Sequence, residues 1–541
     1  MKRPILAAAA LFALTAYAEV KPAQILQDGM VVEFTKPLTL WGTADPGEKF
    51  DVRINQGRKS RVTADENGNW KIQLPALAPG GPYTIQIGDK TLKDVLSGDV
   101  VLCSGQSNME LFVYRVEDMF GDIISSYKND KIRHFTAPKD IAFDGPQKDL
   151  NGGQWMKTAP STSATFSALG YFLAMEMNAK TGRPVGIINC SWGGTPIEAW
   201  MSEKALTAYP RQLARLAIDK DSGYRDTVTA TEREMQGRWN AALHAGDPGR
   251  KEHWESKTTD VSTWKDVDIL NDRSWTTDGY NPIGGSHWFV KKVNVPAELA
   301  SKPAMLRVGT LVDSDSTYVN GEFVGTVSYC YPPRKYKLRD GLLKAGENTI
   351  AVRLVSNGGR GEFIPEKPYK LVFEGGDEIS LEGIWKYKQG KEMPKAPGST
   401  FWCYSPTVLY NSMISPITNY GVGNVVWYQG ESNVSTRNEY GGLLEKMIYL
   451  WRSDRRDASL PFYVVELANF LADSDKGGRQ AWAEMREIQK NTCEKVSNCE
   501  LVENYDLGEW NDIHPLNKKT LAERIVNKMN LKGGKSSKKS R

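Results

Sequence analysis

Val100-Val101-Leu102-Cys103-Ser104-Gly105-Gln106-Ser107-Asn108-Met109-Glu110 is the stretch on which the fold turns. Its first four residues form an unbroken apolar run, the mark of a strand covered on both faces rather than one. Ser104 to Asn108 supply a glycine and small polar side chains that favour a turn, and Met109 to Phe120 reads as the helix that follows. The same grammar returns downstream. Val185-Gly186-Ile187-Ile188-Asn189-Cys190 runs into a glycine turn, and Asn424-Val425-Val426-Trp427-Tyr428 runs into another. Pro461 to Leu467 and Glu500 to Glu503 add two strands, and Asn517 to Met529 a closing helix. Apolar strands alternating with helices predict an α/β domain whose parallel sheet is covered on both faces, with functional residues gathered at the carboxyl ends of the strands.

Outward from that core the pattern changes twice. Residues 19–95 are short period-two segments such as Phe50-Asp51-Val52-Arg53-Ile54, separated by turn chemistry such as Asp45-Pro46-Gly47, and predict a small antiparallel sandwich. Residues 246–395 again read as strands joined by hairpins, among them His287-Trp288-Phe289-Val290 and Asn348-Thr349-Ile350-Ala351-Val352-Arg353-Leu354. They predict a second β-sandwich inserted into the α/β domain, whose two halves are then 96–245 and 396–530. The inserted module serves either as a sugar-binding unit or as a structural brace.

With 541 residues, several such units fit, and 40% hydrophobic with 25% charged residues is ordinary globular composition. The formal charge of +4 falls to −1 without Lys532, Lys535, Lys538, Lys539 and Arg541 of the basic tail (531–541), and to −3 without Lys2 and Arg3. A body of that charge has no basic excess to favour nucleic acid. Lys2 and Arg3 precede an apolar run from Ile5 to Leu14 and the small residues Ala16 and Ala18, the pattern of a secretory signal peptide over residues 1–18 cleaved near Ala18. The run is too short to span a bilayer. A secreted or periplasmic location is therefore expected, without a transmembrane segment. Six cysteines are too few for a disulfide scaffold; only Cys493 and Cys499 are close enough for a local bridge, while Cys103 and Cys190 read as buried thiols. No Cys or His pair has zinc-ligand spacing, and neither metal nor organic cofactor is called for.

Three strand ends carry chemistry. Ser107 follows a buried strand and opens a helix, so its Oγ lies at the sheet edge and its N–H can meet an oxyanion. Met109 two positions later separates this turn from the G-x-S-x-G elbow. Gly193, in Ser191-Trp192-Gly193-Gly194-Thr195, offers a backbone N–H, although the paired glycines by themselves are explained at least as well by a tight strand-to-helix turn, and Gln429, in Gln429-Gly430-Glu431-Ser432-Asn433, offers a side-chain amide; with Ser107 they could compose a three-donor oxyanion hole. Of the five histidines, His134, His244, His253 and His287 lack a suitable setting. His514, in Asn511-Asp512-Ile513-His514-Pro515, sits after the last strand with Asp512 two residues before it and is the expected base. Gln106, Asn108, Trp192, Glu431 and Trp427 are the candidate substrate contacts, although core packing accounts for aromatics at strand ends equally well.

Gly105-Gln106-Ser107-Asn108, Gly193-Gly194-Thr195, Trp427-Tyr428-Gln429-Gly430-Glu431-Ser432-Asn433 and Asp512-Ile513-His514-Pro515, in this order, resemble the sialate O-acetylesterase group of the SGNH hydrolases. The resemblance implies an SGNH-type three-layer α/β domain, split by a sandwich similar to galactose-binding-like jelly rolls and preceded by a small sandwich. It implies Ser107 as nucleophile, His514 as base, and an oxyanion hole of Ser107, Gly193 and Gln429. SGNH enzymes in general carry Asp three residues before the histidine; this chain has Asn511 there, and Asp512, ahead of Glu431, is expected to complete the triad. The implied substrate is an acetylated sialic acid or, on related enzymes, acetylated xylan. A glycan-binding protein without activity is the rival, distinguished by decayed motifs; here the serine, histidine, glycine and amide are all present.

Overall fold

The strand β1 (Lys90–Gly105), sixteen residues long, is shared between two layers of structure. The protein, seen in a computed structural model that describes residues 19–529 and 531, builds its main sheet around it. With β2 (Asn129–Thr136), β3 (Trp155–Thr158), β4 (Val185–Ser191), β5 (Asn424–Tyr428), β6 (Phe462–Val465) and β7 (Cys499–Val502), the strand order is β3-β2-β4-β1-β5-β6-β7. All neighbours are parallel except the β3 edge. Alternate residues of β1 enter two separate cores: Val100 and Leu102 pack with Leu443, Met447 and Trp482, whereas Val101 and Cys103 pack with Leu169, Leu173 and Leu521. The helices Arg437–Asp454 and Lys476–Lys495 therefore cover one face, and Ala168–Thr181 and Lys518–Lys528 the other. An unbroken apolar strand needs such cover on both sides.

The first half of β1 belongs to the amino-terminal layer. It pairs with Gly80–Ile87 and, in parallel, with Val31–Glu33, so part of residues 19–95 continues the same sheet, while Lys21–Pro22, Leu38–Thr43 and Asn69–Leu74 form a three-stranded antiparallel sheet of their own. Buried Glu33 ties this layer to β1 further, accepting the Val100 N–H at 2.8 Å. The chain divides instead into residues 1–220 with 401–541 and residues 221–400. The second unit is wider than the 246–395 read from sequence. It includes the helix Ser222–Gly246, whose apolar side chains Trp239 and Leu243 pack on Val355 and Met393. A helix in sequence looked like part of the α/β half, but its apolar partners lie in the insert. This unit holds two larger antiparallel sheets, of six and four strands, and two two-stranded ones, with a core that includes Trp275, Phe289, Leu306 and Leu371.

The helix expected over Met109–Phe120 is interrupted. A four-residue turn of helix, Ser107–Glu110, gives way to a 3-10 turn at Val113–Val116 and a helix from Glu117 to Ser126. Leu111 leaves helical geometry and Phe112 bridges to Ser167, which anchors the break. Cys103 and Cys190 are buried thiols as expected, burial pushing Cys190 up to about 12. Cys493 and Cys499 stand as thiols with sulfurs 3.2 Å apart. No helix among the described residues is long and apolar enough to cross a membrane. The signal-peptide pattern at 1–18 and all of the basic tail except Leu531 lie outside the described residues.

Within residues 221–400, fully buried Asp315 accepts from Arg334 Nε at 3.0 Å and from the hydroxyls of Thr317 and Tyr336, each at 2.7 Å. Removing one partner leaves a buried charge uncompensated. Asp315→Ala should lower the stability of this unit by about 3–5 kcal/mol, seen by calorimetry as an earlier transition separate from that of the sheet domain.

Candidate active site

Register brings the site together. Gly105 at the end of β1 is opposite both Ser191 at the end of β4 and Tyr428 at the end of β5, so three turns leave the sheet at one level. Gly105 has φ +136°, and a Cβ there would collide with the Tyr428 carbonyl oxygen, so only glycine lets β1 exit beside β5. Ser107 then starts its short helix half-buried. Four residues make too short a helix for much of a macrodipole, which leaves the unpaired backbone N–H groups of the first turn as the feature that can meet an anion. Gly193 is adjacent: a Cβ on it would lie 3.3 Å from Ser107 Cβ. Its N–H donates to Glu110 Oε2 at 2.6 Å, and Glu110 Oε1 pairs with Lys139 at 2.5 Å. A carboxylate oxygen thus sits on the Gly193 N–H at the distance an oxyanion would take.

Asn108 binds the serine turn to the histidine loop. Its Nδ2 donates to the Ile513 carbonyl at 2.9 Å and to Glu431 Oε1 at 2.7 Å, while its Oδ1 accepts from Lys518 Nζ at 2.7 Å. His514 is 7% exposed. Asp512 Oδ1 accepts the His514 backbone N–H at 2.9 Å and lies 3.6 Å from Nδ1 of the ring. Glu431 faces the same ring electrostatically. Burial pushes its carboxyl up, opposed by the Asn108 hydrogen bond, its own backbone, His514 and Lys518; its Oε2 is buried with no hydrogen-bond partner. Both carboxylates named from sequence therefore stand near the imidazole. His134, by contrast, is buried against Phe166, and desolvation lowers it to about 3; His287 is held at about 4 for the same reason.

Several expected contacts are internal. Gln429 is fully buried, and its Nε2 donates to the Thr195 carbonyl at 3.2 Å and to Asn433 Oδ1 at 2.7 Å. Both amide hydrogens are committed to the protein, so Gln429 braces the Gly193–Thr195 turn instead of offering a free donor. Gln106 Oε1 accepts from Ser432 N at 3.2 Å, which fixes the next turn, and buried Asn108 is saturated as described. Trp427, also fully buried, lies edge-on between Trp200 and Trp451 and is core, not a sugar platform. Trp192 is half-buried with Lys139 5.3 Å over its ring. The sequence reading missed Glu110, Asn433, Lys518 and Tyr404. Asn433 and Glu110 lie inside quoted motifs, but Tyr404 stands alone in sequence and meets the site only through Gly194, where a Cβ would run into its hydroxyl. Among the described residues no three His, Cys, Asp or Glu side chains are grouped to hold a metal ion.

A family model described as carbohydrate esterase, sialic acid-specific acetylesterase, matches residues 97–237 and 393–529, which hold every one of these groups. The chain belongs to this family. It is 29% identical over 228 residues to a sialate O-acetylesterase of Homo sapiens, covering 38% of this chain and 42% of that protein. With its Rattus norvegicus counterpart it shares 30% identity over 189 residues, 31% of this chain and 35% of the relative. The chain thus spans less than half the length of these curated relatives. Its fold is similar to that of a carbohydrate acetylesterase from Xanthomonas citri, with a TM-score of 0.55, 24% identity, and coverage of 94% of this chain and 74% of that one.

Gly194 tests the geometry of the turn. Its φ of +78° makes any Cβ strained, at about 1–2 kcal/mol, and the Tyr404 hydroxyl adds a collision. Gly194→Ala should lower stability, and Tyr404→Phe in the same chain should restore part of it, measured by denaturant titration of the two single variants and the pair.

Proposed function

We propose that the chain is a carbohydrate O-acetylesterase that removes acetyl groups from sialic acids through a serine acyl-enzyme. The observation that carries this reading is the Asn108 hydrogen bond to the Ile513 carbonyl, which draws the histidine loop onto the turn bearing Ser107. Ser107 Oγ attacks the acetyl carbonyl carbon as His514 takes its proton. The oxyanion accepts from the N–H groups of Ser107 and Gly193, the latter released by Glu110, while Gln429 holds the Gly193 turn. His514 returns the proton to the departing sugar oxygen, then activates the water that releases acetate and frees Ser107. Asp512 is the anion that holds the imidazole, a reading its 3.6 Å approach to Nδ1 supports.

The layering of a parallel sheet between two helix layers is read as the SGNH architecture, the unit built on two larger antiparallel sheets as its jelly-roll insert, and the basic and apolar amino terminus as an export signal. For the sugar, the exposed pair Phe401 and Tyr404, stacked with centroids 5.2 Å apart beside the Gly194 turn, is an aromatic shelf at the cleft. Aromatic faces of this kind present apolar area to a sugar ring while the tyrosine hydroxyl stays polar.

Ser107→Ala should lower kcat on the order of 10⁶-fold with an unchanged melting profile, and a folded variant of near-normal rate would overturn the mechanism. Asp512→Asn should cost on the order of 10⁴-fold and Glu431→Gln much less; the reverse ranking makes Glu431 the triad acid. Acetate release compared on acetylated sialic acid and acetylated xylo-oligosaccharides decides the substrate. Tyr404→Ala should raise KM for the preferred sugar about fivefold, as loss of ~1 kcal/mol of ring contact implies, and leave KM for glycerol triacetate unchanged.

A further inference from the structure

Lys518 is the first residue of the helix Lys518–Lys528, a place where a lysine is ordinarily solvated, yet it is 1% exposed. A buried ammonium is costly, and the amino end of a helix adds to the cost because its dipole is positive there. Desolvation pulls the group down to about 7, against the opposing pull of Glu431, Asp512 and Glu509. Its Nζ donates to Asn108 Oδ1 at 2.7 Å and stands 4.9 Å over the ring of Tyr428. The groups around this cation come from three elements: Asn108 after β1, Tyr428 and Glu431 at the end of β5, and Glu509 and Asp512 on the histidine loop. It therefore lies at the junction of the turns after β1 and β5 and the histidine loop.

Lys518 also reinforces the orientation of Asn108. An asparagine amide can be turned over with little change in shape, and the wrong orientation would set its oxygen against the Ile513 carbonyl and the Glu431 carboxylate. Those two acceptors hold Nδ2, and Lys518 donates to Oδ1 from the other side, so it reinforces the one orientation that satisfies all three groups. The structure assigns Lys518 as a positioning residue of the esterase reaction: through Asn108 it seats the His514 loop against the Ser107 turn. This rests on the acyl-enzyme reading above and adds to it a residue that touches no reacting atom.

The test compares wild type, Lys518→Met, Asn108→Ala and the double variant on an aryl acetate and on an acetylated sialic acid. Lys518→Met should lower kcat about 10²-fold, the scale of a misplaced catalytic pair, with KM changed less than about threefold on both substrates. Adding ethylammonium should restore kcat saturably by about tenfold, and uncharged N-methylurea should not. In the Asn108→Ala background the lysine substitution should cost less than about threefold more, because the two act as one unit. A Lys518→Met enzyme within about threefold of wild type, a change confined to KM, equal rescue by the uncharged compound, or fully additive losses would each overturn the assignment. If Lys518→Met gives no folded protein, Lys518→Gln takes its place, and failure of both to fold would assign the lysine to the fold alone and overturn the proposal. An inactive wild type would overturn the esterase reading itself, whereas an active wild type with an indifferent Lys518→Met overturns this inference only.

Discussion

Asn108 has three hydrogen-bonding directions, and each ends on a different piece of the chain: the carbonyl before His514, the carboxylate of Glu431 and the ammonium of Lys518. The serine turn, the turn after β5 and the loop before the last helix are brought to one place by this amide. Strand register delivers them to the same edge, but register only sets turns level. Holding the serine turn against the histidine loop requires a bond across the turns, and the interior of a protein makes such a bond worth keeping because its unmade groups would be buried.

Glu110, Glu431, Asp512, Lys139 and Lys518 put five ionisable groups around the serine turn and the histidine loop, and Lys518 is almost wholly out of water. Such groups contribute little to stability against an apolar alternative of the same shape, since their desolvation opposes their attraction. Their value is directional. A fixed arrangement of charges around a reacting centre does not have to reorganise as charge develops there.

The strands β1, β4, β5, β6 and β7 and the turns that bear Ser107 and His514 were readable because each signal is local, an apolar run, a turn or a motif of a few residues, whereas β2 and the β3 edge were not read. The limits are equally physical. The change within β1 from alternating Lys90-Thr91-Leu92-Lys93 to the apolar run Val100–Cys103 looked like a boundary between domains, because burial on one face becomes burial on two within a single strand. Gln429 presents an amide in sequence, but whether it points to a ligand or into the protein is decided by Thr195, 234 positions away. Lys518 reads as a surface charge, and its acceptor is 410 positions distant. Trp427 and Trp192 have the same chemistry on paper, and only packing separates a core ring from an accessible one.

The place of residues 221–400 in the chain has a consequence for biogenesis. β1 and β4 are complete by Ser191, but the edge of β1 that β5 covers stays open until Asn424 emerges, about 320 residues after Gly105. At ribosomal rates that interval is roughly 20 to 60 s. Throughout it an apolar strand of the future sheet centre carries unpaired backbone groups, the feature that invites pairing with other chains. The insert has its own core and completes its sheets in that time, so the nascent chain alternates between a finished unit and an unfinished sheet, and the hazard of misassembly is concentrated in one strand edge rather than spread along the protein.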